Sequence, residues 1–101
     1  MSTAAREVRV ERTQSLSHAD LRRLLPRVLV GASLNWTGAC CTARFPEGRL
    51  LSLMLAPETE RRLGSLRIVS TPLRFCFHDW PQHAVEAFMM QYERALQQGG
   101  G

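Results

Sequence analysis

No lysine occurs among the 101 residues, so the positive charge of the chain comes entirely from its thirteen arginines. This absence excludes a Schiff-base lysine and the lysine of a phosphate-binding P-loop. The formal net charge is +4, and the arginines are scattered along the chain. Net charge bears on solubility and association first, so the arginine excess does not by itself predict nucleic-acid binding.

Long apolar runs are also lacking. No stretch approaches the roughly 18 consecutive apolar residues of a membrane span, and the first residues lack the apolar segment of a secretory signal. We therefore expect a cytoplasmic protein with no membrane partner. The hydrophobic content of 45% suits a single domain over residues 1–101. We expect its ends, at about residues 1–4 and 99–101, to be disordered.

Cysteine and aspartate are few, and their positions exclude several kinds of chemistry. Cys40, Cys41 and Cys76 form no CxxC pair, which predicts three free thiols. The two aspartates, Asp20 and Asp79, both precede helical patterns and suit helix starts. The motifs GxGxxG, GxSxG and HExxH are absent. The sequence therefore predicts no catalytic residue and no cofactor.

The segment RFCFHDWPQH, from Arg74 to His83, is the densest group of reactive side chains. Cys76 and His78 are two residues apart on a predicted strand, so they share a face, as two metal ligands or a nucleophile and its base would. Two ligands do not make a zinc site, and no cysteine-hydrolase signature surrounds Cys76. We favour the interpretation that a strand ends here and Asp79 begins a helix, with no metal site.

Hydrophobic periodicity predicts the order of the elements. REVRVERTQ alternates like a strand with one wet face, and Ser17 caps a helix with a leucine stripe. Pro26 should end that helix near Leu25, or kink it so that it continues to Val30. RLLSLMLA, apolar on both faces, predicts a central strand.

Three further segments gave weaker patterns. Residues 34–45 have the pattern of extended chain, but their apolar residues fall first on even and then on odd positions. Gly38 indicates a bulge at which the apolar side chains move to the other face of the strand. PETERRLGS predicts a polar connection, with one helical turn at most. Residues 66–77 predict a bent edge strand that contains Pro72. The positions that face the core should change from even to odd near Ser70.

A long amphipathic helix from Asp79 to Gln98 is the strongest prediction. Its apolar residues recur at helical spacing: Val85, Phe88, Met89, Tyr92 and Leu96. The fold class is therefore α+β, with an antiparallel sheet of four or five strands and two helices on one face, in the order β-α-β-β-β(-β)-α. This order resembles the layout of small helix-grip and TBP-like folds, although no motif accompanies the resemblance.

The leading functional hypothesis is a non-catalytic protein-interaction module that self-associates. If both helices cover one face, the other face, bearing Leu50, Met54 and Trp36, is open to a partner, most simply a second copy. An edge strand is the other surface through which two copies could join.

Two alternatives remain open. In the first, the long helix and the sheet enclose an apolar ligand pocket lined by Trp36, Phe77 and Met89. In the second, a basic patch binds nucleic acid through four arginines: Arg61, Arg62, Arg67 and Arg74. The second is not favoured, because single-strand binding needs exposed aromatic side chains between the charges, and the pattern places most aromatics inside.

Overall fold

The computed structural model describes residues 7–99. In chain order its elements are β1 (Glu7–Gln14), α1 (His18–Val28), β2 (Ser33–Thr37), β3 (Cys40–Arg44), β4 (Leu50–Leu55), β5 (Thr59–Leu63), β6 (Leu66–His78) and α2 (Gln82–Gly99). The predicted α+β class is confirmed, and the predicted count of four or five strands is corrected to six. The predicted disordered ends lie outside the described residues, except for Gly99, which is the last residue of α2.

The first helix begins where the sequence predicts it. The Ser17 side-chain oxygen accepts a hydrogen bond from the Asp20 backbone N–H at 3.1 Å, as an N-cap does. The helix passes through Pro26 and ends at Val28, between the two predicted ends. Pro26 lies in the last turn with its ring exposed, so its missing N–H removes only one helical hydrogen bond.

Residues 33–44 form the β2–β3 hairpin, and the predicted bulge at Gly38 is wrong. Thr37 pairs with Cys40, and Gly38 lies in the turn between them with a φ of 60°. The side chains that face the helices have even numbers in β2 and odd numbers in β3, because the chain reverses direction across two turn residues. Trp36 and Cys41 are therefore cross-strand neighbours on the helix-covered face, and Trp36 does not belong to the open face.

The six strands form one antiparallel sheet in the order β1-β6-β4-β3-β2, with β5 pairing the first part of β6. The prediction that β4 is central is confirmed, because β3 and β6 flank it. The prediction that residues 66–77 form an edge strand is wrong, because β6 lies between β1 and β4.

Proline is tolerated in this inner strand because of where β4 ends. The Pro72 carbonyl accepts a hydrogen bond from Ala56 N–H at 2.9 Å, so the backbone groups of Pro72 point to the β4 side. β4 ends at Leu55, opposite Leu73, and the missing N–H falls beyond its last paired residue. Alternation continues without a break through Ser70, so the predicted change of inward parity is also wrong.

A projecting hairpin replaces the predicted polar connection. β5 pairs with residues 66–70 of β6, and Gly64, with a φ of 63°, lies in the turn. We call this hairpin, residues 59–70, the arm. Every residue of β5 is exposed, so the arm extends away from the core and contributes to the 58 Å length of the molecule.

The core lies between the sheet and both helices, which cover the same face. It joins alternate residues of β3, β4 and β6 to the leucines of α1 and the apolar stripe of α2. Phe75, Phe77, Trp80 and Phe88 form edge-to-face contacts with centroids 5.0 to 6.3 Å apart. The predicted stripe of α2 is therefore confirmed as core.

The start of α2 differs in detail from the prediction. The Pro81 carbonyl accepts hydrogen bonds from the first helical turn, and the helix begins at Gln82. Asp79 lies three residues earlier with a φ of 61°, a left-handed conformation that aspartate tolerates better than most residues. Among residues 7–99, no helix is both long and apolar enough to span a membrane.

Candidate interaction surfaces

The strand β1 forms one edge of the sheet. β6 pairs with it on one side over all eight residues, and no described strand lies on the other side. Its side chains alternate, with half-buried Val8 and Val10 on the helix side and Glu7, Arg9 and Glu11 exposed on the other. A long edge strand with free backbone groups can accept another strand.

A groove of about 420 Å³ runs between β1 and α2. Apolar side chains, among them Val8, Val10, Met89 and Met90, form half of its lining, and the other half is polar or charged. At one end Arg12 Nε and a Glu93 carboxylate oxygen are 2.7 Å apart, which ties the helix to the strand. The Met90 side chain is 61% exposed, so the helix offers an apolar group next to the free edge.

The sheet face opposite the helices is mostly polar. Its cross-strand rows follow from the register, and the middle row runs from β1 to β2 through Arg9, Cys76, Ser52, Thr42 and Asn35. Leu50 and Met54 lie on this face, as predicted, but in the rows on either side of that polar row. Leu50 and Met54 thus interrupt these largely polar rows, and Pro72 and Ile68 extend the same face of β6 towards residues 59–66.

Cys76 and His78 share this open face, and each contacts other partners. The His78 Nε2 atom lies 3.1 Å from the Ser52 hydroxyl oxygen. Burial raises the pKa of the Cys76 thiol, and the neighbouring Glu7 carboxylate raises it further. A nucleophilic cysteine needs a lowered pKa, so this environment opposes activation of the thiol.

Burial likewise raises the pKa of Cys41, which lies in the core. All three cysteines are free thiols. Residues 7–99 contain no group of three metal-binding side chains close enough to share an ion.

The arm exposes leucines at its tip. Leu63 and Leu66 are paired next to the turn, with side chains 55% and 63% exposed. An isolated two-stranded hairpin is marginally stable in water, and here it extends from the inner strand β6. Where the arm joins the sheet, a groove of about 360 Å³ is bordered by Met54, Pro72 and Arg74.

The four arginines of the predicted basic patch are divided between two faces. Arg62 lies opposite Arg67 on one side of the arm, whereas Arg61, opposite Ile68, lies on the side that continues into the open face with Arg74. Two carboxylates offset part of this charge: Glu60 pairs with Arg67 and Arg62, and Glu11 lies 3.4 Å from Arg74.

No aromatic side chain accompanies these arginines. All seven aromatic residues lie between 36 and 92, and each belongs to the core or packs against it from the helix side. Bases that stack on a protein need exposed aromatic faces. The surface thus lacks the stacking platform of a single-strand binder, and nucleic-acid binding stays a disfavoured prediction.

The three residues of the predicted ligand pocket occupy different surroundings. Phe77 is fully buried among aromatic rings, and Met89 is buried beside the β1–α2 groove. Trp36 is half-buried on β2, with the Arg22 guanidinium carbon 4.2 Å from its ring centroid. Trp36 and Phe77 border neither the β1–α2 groove nor the groove at the arm. The pocket stays a prediction.

Sequence reasoning did not identify β1 as an edge strand. The alternation of Glu7, Arg9 and Glu11 was visible, but only the sheet order reveals that this strand is an edge. Met90 flanks the apolar stripe of α2, and its exposure depends on the distance between that helix and β1.

Comparison with known proteins gives little further information. No protein-family model matches the sequence, and no curated protein matches it significantly. The chain is similar to the crystal structure of an uncharacterised protein from Bacillus thuringiensis, with 12% sequence identity and a TM-score of 0.40. The match covers 92% of this chain and 97% of that one.

Proposed function

We propose that the protein is a non-catalytic interaction module that self-associates through β1. The observation that supports this most directly is the eight-residue free edge of β1, beside a groove that valine and methionine side chains line in part. Such an edge can add a strand, and the valine and methionine part of the groove favours one that brings apolar side chains. A second copy of the chain supplies such a strand.

The other edge of the sheet is a weaker candidate. β2 has five residues against eight in β1, and its helix side is occupied by Trp36 beneath Arg22. Fewer backbone groups are therefore free on β2. This difference favours β1 as the edge that joins two copies.

The surroundings of Cys76 favour binding over catalysis. Its pKa is raised, and the His78 ring contacts the Ser52 hydroxyl. Nucleophilic catalysis needs a base that takes the proton of the nucleophile and a third group that orients the base. A thiol with a raised pKa gives up its proton less readily, so Cys76 is a poor nucleophile in this environment.

Light scattering between about 1 µM and about 1 mM measures self-association. We expect the mass of the wild type to rise from one chain to two. In Met90→Glu an unpaired charge enters the groove, so the dissociation constant should rise by about tenfold or more. Val30→Glu is the matched control, because Val30 is 76% exposed and lies outside the groove, and this variant should associate like the wild type.

A wild-type mass of one chain over the whole range would refute the proposal. Equal weakening by Met90→Glu and Val30→Glu would show that charge, and not the groove, controls association. Circular dichroism should show that both variants are folded, because substitutions at exposed positions change stability by only about 0.5 kcal/mol.

A further inference from the structure

We infer that the two copies pair through antiparallel β1 strands about a two-fold axis that passes through Val10. This inference rests on the proposed function and specifies its interface: the occupant of the free edge and the register. Three features lead to it, namely the direction of the free backbone groups, the order of charges along the strand, and the valine and methionine side chains in the groove on the helix side.

The hydrogen bond at Pro72 determines which backbone groups of β1 are free. Because the Pro72 carbonyl accepts from Ala56, Pro72 points its backbone groups away from β1. Thr13, its partner in β1, is therefore in a non-hydrogen-bonded pair, and its own N–H and C=O point to the free edge. Alternation gives the same direction to Glu11, Arg9 and Glu7.

The charges select one register among those that a two-fold axis permits. With Val10 at the centre, Arg9 of each copy lies opposite Glu11 of the other, and Glu7 lies opposite Thr13. With Arg9 or Glu11 at the centre, that residue lies opposite its own copy, and like charges directly opposite each other are destabilising. Among these three registers, only the Val10 register pairs opposite charges directly.

The backbone geometry fits the same register. The residues that become partners, Arg9 with Glu11 and Glu7 with Thr13, are those whose N–H and C=O groups point to the free edge. They form four hydrogen-bonded pairs across residues 7–13 of the two strands. A register centred on Val8 also places Glu7 opposite Arg9, but it pairs only residues 7–9 of the described strand.

The helix side of the interface is apolar at its centre, and on either side of the axis Val8 lies opposite Arg12 of the second copy. In this register Val10 meets Val10 of the second copy, next to the groove that Met89 and Met90 line. α2 runs in the same direction as β1, because Glu7 is paired with His78 just before the helix and Arg12 contacts Glu93 near its other end. The two α2 helices therefore lie antiparallel across the axis, with their exposed methionines towards each other.

Disulfide cross-linking tests the register. The variants are made in a Cys40→Ser background, which removes the exposed native thiol. In Val10→Cys the two new cysteines form a non-hydrogen-bonded pair whose Cα atoms are about 4.5 Å apart, within the range for a disulfide. Val8→Cys is the matched control, on the same face and also half-buried. Its two copies would be about 14 Å apart, four residues along the ladder, and could not bond.

We expect a covalent dimer from Val10→Cys under mild oxidation and none from Val8→Cys. If light scattering shows a dimer but Val8→Cys cross-links, or Val10→Cys does not, the register is wrong. Self-association would still stand. A wild type that stays a single chain overturns both the inference and the proposed function.

Charge reversal gives a second test that needs no cysteine. Arg9→Glu and Glu11→Arg each place like charges opposite each other twice, so each should raise the dissociation constant about tenfold. The double variant restores opposite charges and should recover most of the affinity. Because Glu11 also pairs with Arg74 of its own chain at 3.4 Å, thermal melting of each variant must show intact folding. Failure of the double variant to recover, with folding intact, contradicts the register.

Discussion

Replacing Tyr92 with phenylalanine should stabilise the protein. The Tyr92 side chain is fully buried, and its hydroxyl has no hydrogen-bond partner among the described residues. An unpaired hydroxyl in the core costs about 1–3 kcal/mol. The substitution removes that hydroxyl and keeps the ring, which packs edge-to-face on Phe75 with centroids 4.9 Å apart. We expect a gain of about 1 kcal/mol, or about 4–8 °C in Tm for a domain of this size.

The pH dependence gives the prediction a second measurable consequence. Burial raises the pKa of Tyr92 above its ordinary value of 10.0, and the Glu93 carboxylate adds to the effect against the opposing charge of Arg12. Above pH 10 the unfolded chain loses this proton while the folded chain keeps it, so stability falls by up to about 1.4 kcal/mol per pH unit. Below pH 10 both states hold the proton, and Tyr92 adds no pH dependence.

Chemical denaturation of the two proteins between about pH 8 and about pH 11 measures this difference. The advantage of Tyr92→Phe should be constant up to about pH 10 and should grow beyond it. Tyr92 is the only tyrosine, so tyrosinate absorbance reports this residue alone. Tyr92→Ala, which also removes the ring, should lose about 3–5 kcal/mol. A phenylalanine variant less stable than the wild type would refute the reasoning, because the hydroxyl would then have a partner.

Two further predictions concern a buried hydroxyl with a partner and the free thiols. Thr71 is fully buried and donates a hydrogen bond to the Leu16 carbonyl at 2.7 Å, so Thr71→Val should lose about 1–3 kcal/mol in urea denaturation, whereas Thr71→Ser keeps the bond and should lose less. A valine variant as stable as the wild type would contradict this. Exposed Cys40 should react with a disulfide reagent before half-buried Cys76, whose raised pKa should make its labelling accelerate as the pH rises through and above 9.0. Equal rates in the Cys40→Ser and Cys76→Ser variants would show that the open face does not shield Cys76.

Local signals in the sequence predicted the helices well. Ser17 and Asp20 are three residues apart, so the cap that joins them is written in adjacent sequence. The turn after Phe45 is equally local, since the Phe45 N–H donates to the Arg49 carbonyl and Gly48 supplies the positive φ. Such contacts depend on neighbours along the chain, which any reader of the sequence can see.

The strands show where local reading failed. Pro72 favoured an edge strand, because the sequence cannot show that β4 ends at the one place where a missing N–H does no harm. Residues 59–63 looked like a loop, because their exposed side chains carry no buried face to create alternation. Their strand conformation comes from pairing with β6 and from the turn at Gly64.

Some features of the candidate interface can also be predicted from the sequence, and others depend on the tertiary structure. The alternating glutamate and arginine side chains of residues 7–11 and the apolar stripe of α2 belong to the sequence, because side-chain period and charge follow from residue order. Whether those charges face a neighbouring strand or solvent depends on which strands pair over long separations. Tertiary structure alone placed β1 at the edge, left Met90 exposed beside it and turned Trp36 inward, because strand order is decided by the packing of the whole core and not by any one segment.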